Sequence, residues 1–329
     1  MVKIMEMVMD LENIKNVSVV GAGIMGHGIA QVFAQASYRV FLTARREETL
    51  RRALEQIRSN VELFIQHKLV REDAADIILS RIRTSTNLKE AVSDADFVME
   101  AVPEVLDIKR EIFQALDAYC PEQVVLATNT SSLRITDISL ATKRPDRVVG
   151  AHFWNPAHLM PLVEVTKGEY TSWGTLNLTC QLMERVGKVS AKVLKDIPGG
   201  IGNRIQVAMW REAISLLDQG VASAEDIDNA VMLTFGARLP FMGPFLTADL
   251  NGVDLILNVH SYLYKYLYNS TEPARILREK VEKGEFGIKS GRGFYTWTKE
   301  GIAKAIAMRD ECLINVFRPL LEKQLATLR

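Results

Sequence analysis

The sequence has no excess of charge of either sign. Its 329 residues carry 40 Lys and Arg against 40 Asp and Glu, so no overall electrostatic field favours nucleic acid or an acidic membrane. We therefore predict neither kind of partner. Any phosphate on a cofactor or substrate would have to be bound by local positive groups.

Cysteine is also scarce. The three cysteines, Cys120, Cys180 and Cys312, are odd in number and far apart, and none belongs to a C-x-x-C pair. This spacing favours neither a disulfide framework nor a metal site. It is typical of reduced thiols in a cytoplasmic protein.

Long apolar runs are missing as well. Residues 1–13 include several methionines, but Lys3, Glu6 and Asp10 interrupt them. The segment is too short and too charged for a secretory signal or a membrane span, and no later segment approaches an unbroken apolar span. We expect a soluble, cytoplasmic protein.

What the sequence does contain is two patterns that meet near residue 195. Before that point short β-branched runs alternate with helical segments such as 47–68 and 175–186, which favours a doubly wound parallel α/β sheet. The runs are 17–20, 39–43, 97–102, 124–128, 148–153, 162–165 and 189–194. After it, helical patterns follow at 204–219, 224–233, 253–268 and 272–283. Residues 299–328 predict one or two further helices, with a break at Pro319. The length suits two domains.

A glycine-rich turn follows the first predicted strand and opens an apolar helix at 24–36. In that context G-x-G-x-x-G predicts a dinucleotide site: Gly21 permits the tight turn, Gly23 leaves room for a pyrophosphate, and Gly26 allows close helix packing. Ile24 and Met25 belong to the same helix N-terminus, whose N–H groups favour an anion. We predict a Rossmann-like dinucleotide-binding domain over residues 1–195 and a helical domain over 196–329.

The end of the second predicted strand bears on the choice of cofactor. NAD-binding proteins usually have an acidic residue there, which bonds the ribose 2′-hydroxyl. Here Ala44 occupies the place, and the guanidinium groups of Arg45 and Arg46 follow. They can hold a 2′-phosphate, or they can pair with Glu47 and Glu48 in the next helix. The cofactor is therefore NAD or NADP, with a slight preference for NADP.

Polar residues also follow the later strands, at the sheet edge where ligands of such folds bind. His152 ends one strand and Glu164 lies in the next. A neutral imidazole is suited to removing a hydroxyl proton near neutral pH, and a carboxylate on its other nitrogen stabilises the imidazolium. This pattern predicts oxidation of an alcohol by hydride transfer.

At this point the sequence resembles the L-3-hydroxyacyl-CoA dehydrogenase family. The similar segments are 21–30, 100–109, 129–133, 152–165, 196–204 and 286–295, in the family's order. The resemblance implies a Rossmann-like domain, a helical C-terminal domain that forms a homodimer, and oxidation of an L-3-hydroxyacyl-CoA to the 3-oxo product. A short-chain substrate such as 3-hydroxybutyryl-CoA is expected.

The resemblance also implies roles for individual residues. His152 matches the catalytic base and Glu164 its carboxylate partner, while Ser131 and Asn203 match the residues that hydrogen-bond the reacting oxygen. Asn155 lies in the same signature and supports the site. Glu104 and Lys109 match positions at the nicotinamide side, where Lys109 donates to a ribose hydroxyl. For a CoA substrate, Lys68, Arg71 and Lys89 are candidates to meet the phosphates.

Three departures from the family pattern leave alternatives open. Ala44 replaces the usual acidic residue, Gly200 stands where Phe is usual, and residues 155–161 differ from the acyl-CoA version. Within that segment His158 and Pro161 are similar to branches that oxidise small hydroxy compounds without CoA. A CoA-free hydroxy acid or hydroxymethyl substrate is therefore the first alternative. A non-catalytic cofactor-binding protein, like the crystallins derived from this family, is the second.

Overall fold

The computed structural model describes residues 10–328 and divides the chain into two compact units. The first unit contains the described residues up to Asn203 together with those from Leu313 onward, and the second is Arg204–Cys312. The sequence had placed the boundary at 195/196, with the whole C-terminal part in the second domain. The last stretch belongs to the first unit because Ile314 and Leu321 are buried in its core.

The first unit is built on an eight-stranded sheet in the order β3-β2-β1-β4-β5-β6-β7-β8. Its strands are β1 Asn16–Val20, β2 Arg39–Thr43, β3 Ile82–Ser85, β4 Phe97–Glu100, β5 Val125–Thr128, β6 Val148–Phe153, β7 Leu162–Thr166 and β8 Val189–Val193. All neighbours pair in parallel except β6 and β7, which are antiparallel. The structure confirms the predicted Rossmann-like sheet and adds the edge strand β3, which the sequence reasoning missed.

Helices cover the sheet because its central strands are apolar on both faces. All four residues of β4 and all four of β5 are buried, as expected for strands with helices on both sides. The helices of this unit are α1 Gly26–Gln35, α2 Glu47–Gln66, α3 Ala74–Ser80, α4 Leu88–Val92, α5 Leu106–Tyr119, α6 Ile135–Ser139 and α7 Trp173–Arg185. Their alternation with the strands brings the carboxyl ends of β1, β4, β5 and β6 to one edge.

The second unit is helical, as predicted. Its helices are α8 Gly202–Asp218, α9 Ala224–Leu233, α10 Pro244–Asn251, α11 Val253–Leu263, α12 Arg275–Glu282 and α13 Lys299–Gln324, of which α8 begins and α13 ends in the first unit. Across residues 204–312, all of which are described, Ser215 is the one buried residue. This unit therefore lacks an apolar core of its own.

The predicted break at Pro319 is wrong, because α13 runs through it. A proline inside a helix removes one backbone hydrogen bond, but the burial of Leu321 and Leu325 beyond it outweighs that loss. A short 3-10 turn then ends the described chain at Ala326–Leu328. Among residues 10–328, no helix is both long and apolar enough to cross a membrane. Most of the N-terminal segment considered as a signal lies outside the described residues.

Candidate active site

The predicted catalytic pair comes together on the antiparallel strands β6 and β7, where His152 and Glu164 are register partners. His152 Nδ1 lies 3.3 Å from Glu164 Oε2, and the two side chains are 12% and 3% exposed. With the proton on Nδ1 donated to the carboxylate, Nε2 is left to accept a proton from a substrate hydroxyl. The short antiparallel connection explains why two residues 12 apart in sequence meet directly.

The surroundings of Glu164 keep it ionised. Burial raises the pKa of its carboxyl group, but the hydrogen bonds from His152 and from backbone N–H groups outweigh burial and lower the pKa below 4.5. One of these donors is the N–H of Gly202, 2.7 Å from Oε1, at the start of α8. A carboxylate next to a helix N-terminus is stabilised further by the helix dipole. Glu164 is therefore suited to stabilise a positively charged imidazole.

A small cavity, open to solvent, adjoins this pair. Ser131 and Asp196 line it together with His152, Glu164 and Gly200. Gly200 has a φ of +52°, and a Cβ there would lie 2.8 Å from Glu164 Oε2. A glycine at this position therefore leaves the carboxylate unobstructed.

Glu104 organises the loop that contains Ser131. Its Oε1 accepts from the hydroxyl of Thr130 at 2.6 Å and from the N–H groups of Ser131 and Ser132 at 2.9 and 2.8 Å. Burial raises the pKa of Glu104, yet these bonds and the charge of Lys109 together lower it to about 2. The sequence suggested only a place beside the cofactor and gave no sign of this loop contact.

Asn203 lies against the same loop, with its Nδ2 donating to the carbonyl oxygen of Ser131 at 2.8 Å. The structure thus brings together Ser131 and Asn203, the residues expected to bind the reacting oxygen. Asn155 is exposed just beyond β6. Lys68 is exposed at the end of α2 with a φ of +56°, and it is not among the residues that line the cavity.

Lys109 pairs with a carboxylate that the sequence did not indicate. Its ammonium is buried, with 1% of the side chain exposed, and it lies 2.7 and 3.0 Å from the two carboxylate oxygens of Glu100. Thr128 also donates to Glu100, at 2.5 Å, and Lys109 Nζ lies 3.4 Å from Glu104 Oε2. These contacts fix the Lys109 ammonium beside Glu100 and Glu104, and its predicted bond to a ribose hydroxyl stays a prediction. Glu100 is a partner that the sequence reasoning did not single out.

The glycine-rich turn has the shape that a pyrophosphate requires. Gly21 has a φ of +106°, and a Cβ there would lie 2.5 Å from the carbonyl oxygen of Ala101. By contrast, a Cβ at Gly23 meets no atom within 4 Å, so the backbone there faces open space. Helix α1 then begins at Gly26, with its N-cap residue Met25 making no side-chain capping bond and Ile24 75% exposed. An anion can therefore reach the N–H groups of this turn.

Arg45 and Arg46 lie exposed where the adenine ribose of a dinucleotide is expected, directly after Ala44 at the end of β2. In the described part of the chain neither forms an ion pair. Glu48, a predicted alternative partner, is bound by Arg51 and Arg52 instead. Both guanidinium groups therefore remain available to a ligand.

Comparison with known proteins confirms the resemblance. The profile for the 3-hydroxyacyl-CoA dehydrogenase NAD-binding domain matches residues 16–197, and the C-terminal domain profile of that family matches residues 199–297. A 3-hydroxybutyryl-CoA dehydrogenase from Clostridioides difficile is 38% identical over 284 residues, 86% of this chain and 99% of that protein. A 5-formyl-3-hydroxy-2-methylpyridine 4-carboxylate 5-dehydrogenase from Mesorhizobium japonicum is 32% identical over 307 residues, 93% of this chain and 98% of that protein.

Solved structures show the same two groups of relatives. A crystal structure of a 5-dehydrogenase of that pyridine type, described as an NAD⁺-dependent dismutase, matches with a TM-score of 0.87 over 93% of this chain and 98% of the other, at 32% identity. The (S)-3-hydroxybutyryl-CoA dehydrogenase from Ralstonia eutropha matches with a TM-score of 0.73 over 87% of this chain and 100% of the other, at 35% identity.

Proposed function

The chain belongs to the 3-hydroxyacyl-CoA dehydrogenase family, and from this premise we propose that it oxidises a short-chain L-3-hydroxyacyl-CoA, such as 3-hydroxybutyryl-CoA, to the 3-oxoacyl-CoA. The observation that carries the proposal is the His152–Glu164 pair, which opens on the same cavity as Ser131. A base, its orienting carboxylate and a hydroxyl for the reacting oxygen are the groups that this reaction needs.

The chain's own residues handle the proton and the substrate oxygen. His152 Nε2 accepts the proton of the 3-hydroxyl group while Glu164 stabilises the imidazolium through Nδ1. Ser131 and Asn203 hold the oxygen as it becomes a carbonyl, and the carbon gives up its hydrogen as hydride. When bound at the glycine-rich turn, the nicotinamide cofactor would supply the hydride acceptor. In the reverse direction His152 returns the proton.

The test measures turnover of acetoacetyl-CoA and of free acetoacetate with NADH. The readout is the decrease in the absorbance of NADH. Oxidation of NADH with the CoA ester, and much slower oxidation with the free acid, is the expected result. Binding of NADH without turnover of either compound would contradict the proposal and would favour a non-catalytic protein. Binding of NADH is measured first, by fluorescence titration. A protein that does not bind NADH is then not mistaken for one that binds it without catalysis.

A second candidate substrate is a small hydroxy or hydroxymethyl compound without CoA. The observation in its favour is that the pyridine-type dehydrogenase covers more of this chain and superimposes with a higher TM-score, 0.87 against 0.73. Lys68, the candidate ligand for the CoA phosphates, is not among the residues that line the cavity. NAD-dependent oxidation of a hydroxymethylpyridine carboxylate, with no activity on acetoacetyl-CoA, would select this candidate.

The matched NAD-binding domain supports NAD(H) as cofactor. We propose that the site also accepts NADP(H), because Arg45 and Arg46 are exposed where a 2′-phosphate would lie. Neither forms an ion pair within the described residues. This agrees with the slight preference expected from the sequence. Cytoplasmic location stays a prediction, and fractionation of the source cells checks it.

The chain is proposed to form a homodimer through its helical unit. Among residues 204–312 large apolar side chains are widely exposed, including Phe241 and Leu233 at 75% and Phe245 at 85%. A unit of this size needs a buried core to be stable, and exposed apolar surface on this scale marks an interface. A second copy is the simplest partner because it presents the same apolar surface. Sedimentation at several concentrations tests the association.

A further inference from the structure

Lys188 is a buried lysine that the proposed mechanism does not use. It lies between α7 and β8 with 3% of its surface exposed. Its Nζ donates to the carbonyl oxygens of Ala157 at 2.8 Å and Met160 at 2.9 Å. Within the described part of the chain these partners are carbonyl oxygens and not a carboxylate, so burial lowers the pKa of Lys188 from 10.5 to about 7.

Both carbonyls belong to the connection that joins the catalytic strands. Residues 154–161 link β6, which carries His152, to β7, which carries Glu164. The path of this connection therefore affects how the two strands approach each other. Next to Lys188, the N–H of Val189 donates to the carbonyl of Pro161 at 2.8 Å, so the end of the connection is fixed to β8 as well.

The same connection contacts the helix that opens the cofactor turn. A Cβ at Gly28 of α1 would lie 3.1 Å from Cβ of Ala157, so the two segments are in close contact there. Gly28 is two residues beyond the last glycine of the turn. Ala157 is therefore held between Lys188, which binds its carbonyl, and α1, which packs against its side chain.

We propose that Lys188 is a positioning residue, which holds the connection of residues 154–161 so that His152 is fixed relative to both Glu164 and the cofactor helix. It acts through His152 and does not touch the substrate. A neutral amine still has two N–H donors for the two carbonyls, so the contact persists on both sides of the lysine's pKa. The hydrogen bonds are required for this role, and the charge is not.

An apolar side chain of similar length would fill the space but leave two buried carbonyls without donors. Such carbonyls are expected to move toward water or toward other donors. Since a misplacement of about 1 Å can lower a rate by about 10²-fold, a shift of the connection lowers the rate of hydride transfer. The turn that binds the pyrophosphate is untouched, so cofactor affinity should be unchanged.

The test compares Lys188→Met with Lys192→Met. Lys192 is an exposed lysine in β8, four residues further along the chain, and its Nζ contacts Asn177. Hydrogen exchange of the peptide 154–161 is expected to accelerate at least about tenfold in Lys188→Met and to stay at the wild-type rate in Lys192→Met. The kcat should fall by about tenfold or more in Lys188→Met, with KM and the Kd for NADH within about threefold of wild type. The control variant should match wild type in all of these.

Wild-type exchange and wild-type kcat in a folded Lys188→Met protein would overturn the proposal. So would a loss of NADH binding in proportion to the loss of kcat, because that result indicates general loosening of the fold. If Lys188→Met does not fold, Lys188→Gln is used in its place. The Gln amide keeps two donors on a shorter side chain, so we expect smaller changes in the exchange rate and in kcat, in the same direction. The kcat comparison rests on the proposed dehydrogenase activity, but the exchange comparison does not. An inactive wild type would refute that function, while the exchange rates would still decide whether Lys188 holds residues 154–161.

Discussion

At the scale of single residues, the proposed chemistry depends most on His152. Replacing it with Gln keeps the size and the polarity of the side chain but removes the base. We expect kcat to fall by a factor of about 10² to 10⁴, the usual contribution of general-base catalysis. The Kd for NADH should stay near the wild-type value, because the glycine-rich turn connects β1 to α1 and does not include His152 of β6. Steady-state kinetics and fluorescence titration measure the two quantities, and an unchanged kcat would remove His152 from the mechanism.

Glu104 provides a prediction about pH and stability. Its folded-state pKa is about 2, below the ordinary value of 4.5, so its carboxylate stabilises the folded state. With a depressed pKa, this contribution is fully present above pH 4.5 and is lost as the pH falls toward 2. Since the side chain is 34% exposed and partly screened, we expect roughly 1–2 kcal/mol.

The measurement is urea unfolding of wild type and Glu104→Gln between pH 3 and 7. Wild type should be the more stable above pH 4.5, and the difference should shrink as the solution becomes more acidic. Glu90→Gln, an exposed carboxylate in α4, is the control and should show little difference at any pH. A gap between wild type and Glu104→Gln that stays constant with pH would mean that the charge of Glu104 is not the stabilising feature.

The residues that sequence reasoning found and those it missed differ in how they make contact. His152 and Glu164 were predictable as a pair because strand ends and a short connection bring them together. The contact of Lys109 with Glu100 was not, because it depends on the depth at which α5 packs against β4. Likewise, Glu104 reaches Ser131 across 27 residues of sequence, and no local pattern marks such a contact.

At the scale of secondary-structure elements, the proposed binding of NADP(H) depends on the connection from β2 to α2. We expect the double substitution Arg45→Ala and Arg46→Ala to raise the Kd for NADPH by about 10- to 100-fold, since a hydrogen bond to a charged group contributes about 1.5–3 kcal/mol. The Kd for NADH should change by less than about threefold, because NADH lacks the 2′-phosphate.

A matched control is available in the first turns of α2. Arg51 and Arg52 are paired with Glu48, so their replacement by Ala removes the same amount of positive charge, but from within α2. The control should weaken NADPH binding only through long-range charge, an effect that disappears at high salt. Equal losses for NADH and NADPH in the Arg45 and Arg46 variant would show that these residues serve the fold.

Which elements could be predicted follows from the strength of their patterns. The buried strands β4 and β5 are continuous apolar runs, and they were found within two residues of their bounds. The edge strand β3 has one buried residue, Ile82, so it left no apolar run to detect. The helix α13 crosses Pro319 because apolar residues on the far side are buried in the first unit, and a local rule about proline cannot include that burial.

At the scale of the whole molecule, the sequence indicated a helical second domain but not its lack of a core. Apolar residues at helical spacing look alike whether they face their own domain or another chain. The structure adds what the pattern cannot give: across residues 204–312 no apolar side chain is buried, and many large ones are exposed. This is the physical basis for proposing that a second copy covers them.

The proposed dimer is tested most directly at Phe245, which is 85% exposed on α10. A two-fold interface contains each residue twice, so Phe245→Glu removes two apolar contacts per dimer. Burying one such side chain contributes about 1.5–3 kcal/mol, so the dimer should dissociate about 10² to 10⁴ times more readily. Sedimentation equilibrium should then give a mass near that of one chain, 36.9 kDa, at concentrations where wild type gives twice that mass.

The control for this experiment is Leu140→Glu, because Leu140 is 59% exposed in the first unit and its replacement introduces the same charge. This variant should remain dimeric with unchanged thermal unfolding. Phe245→Glu should also unfold at a lower temperature, because a helical unit that loses its partner loses the apolar contacts that stabilise it. A wild-type chain that sediments as a monomer at every concentration, with a stable helical unit, would contradict the proposed dimer.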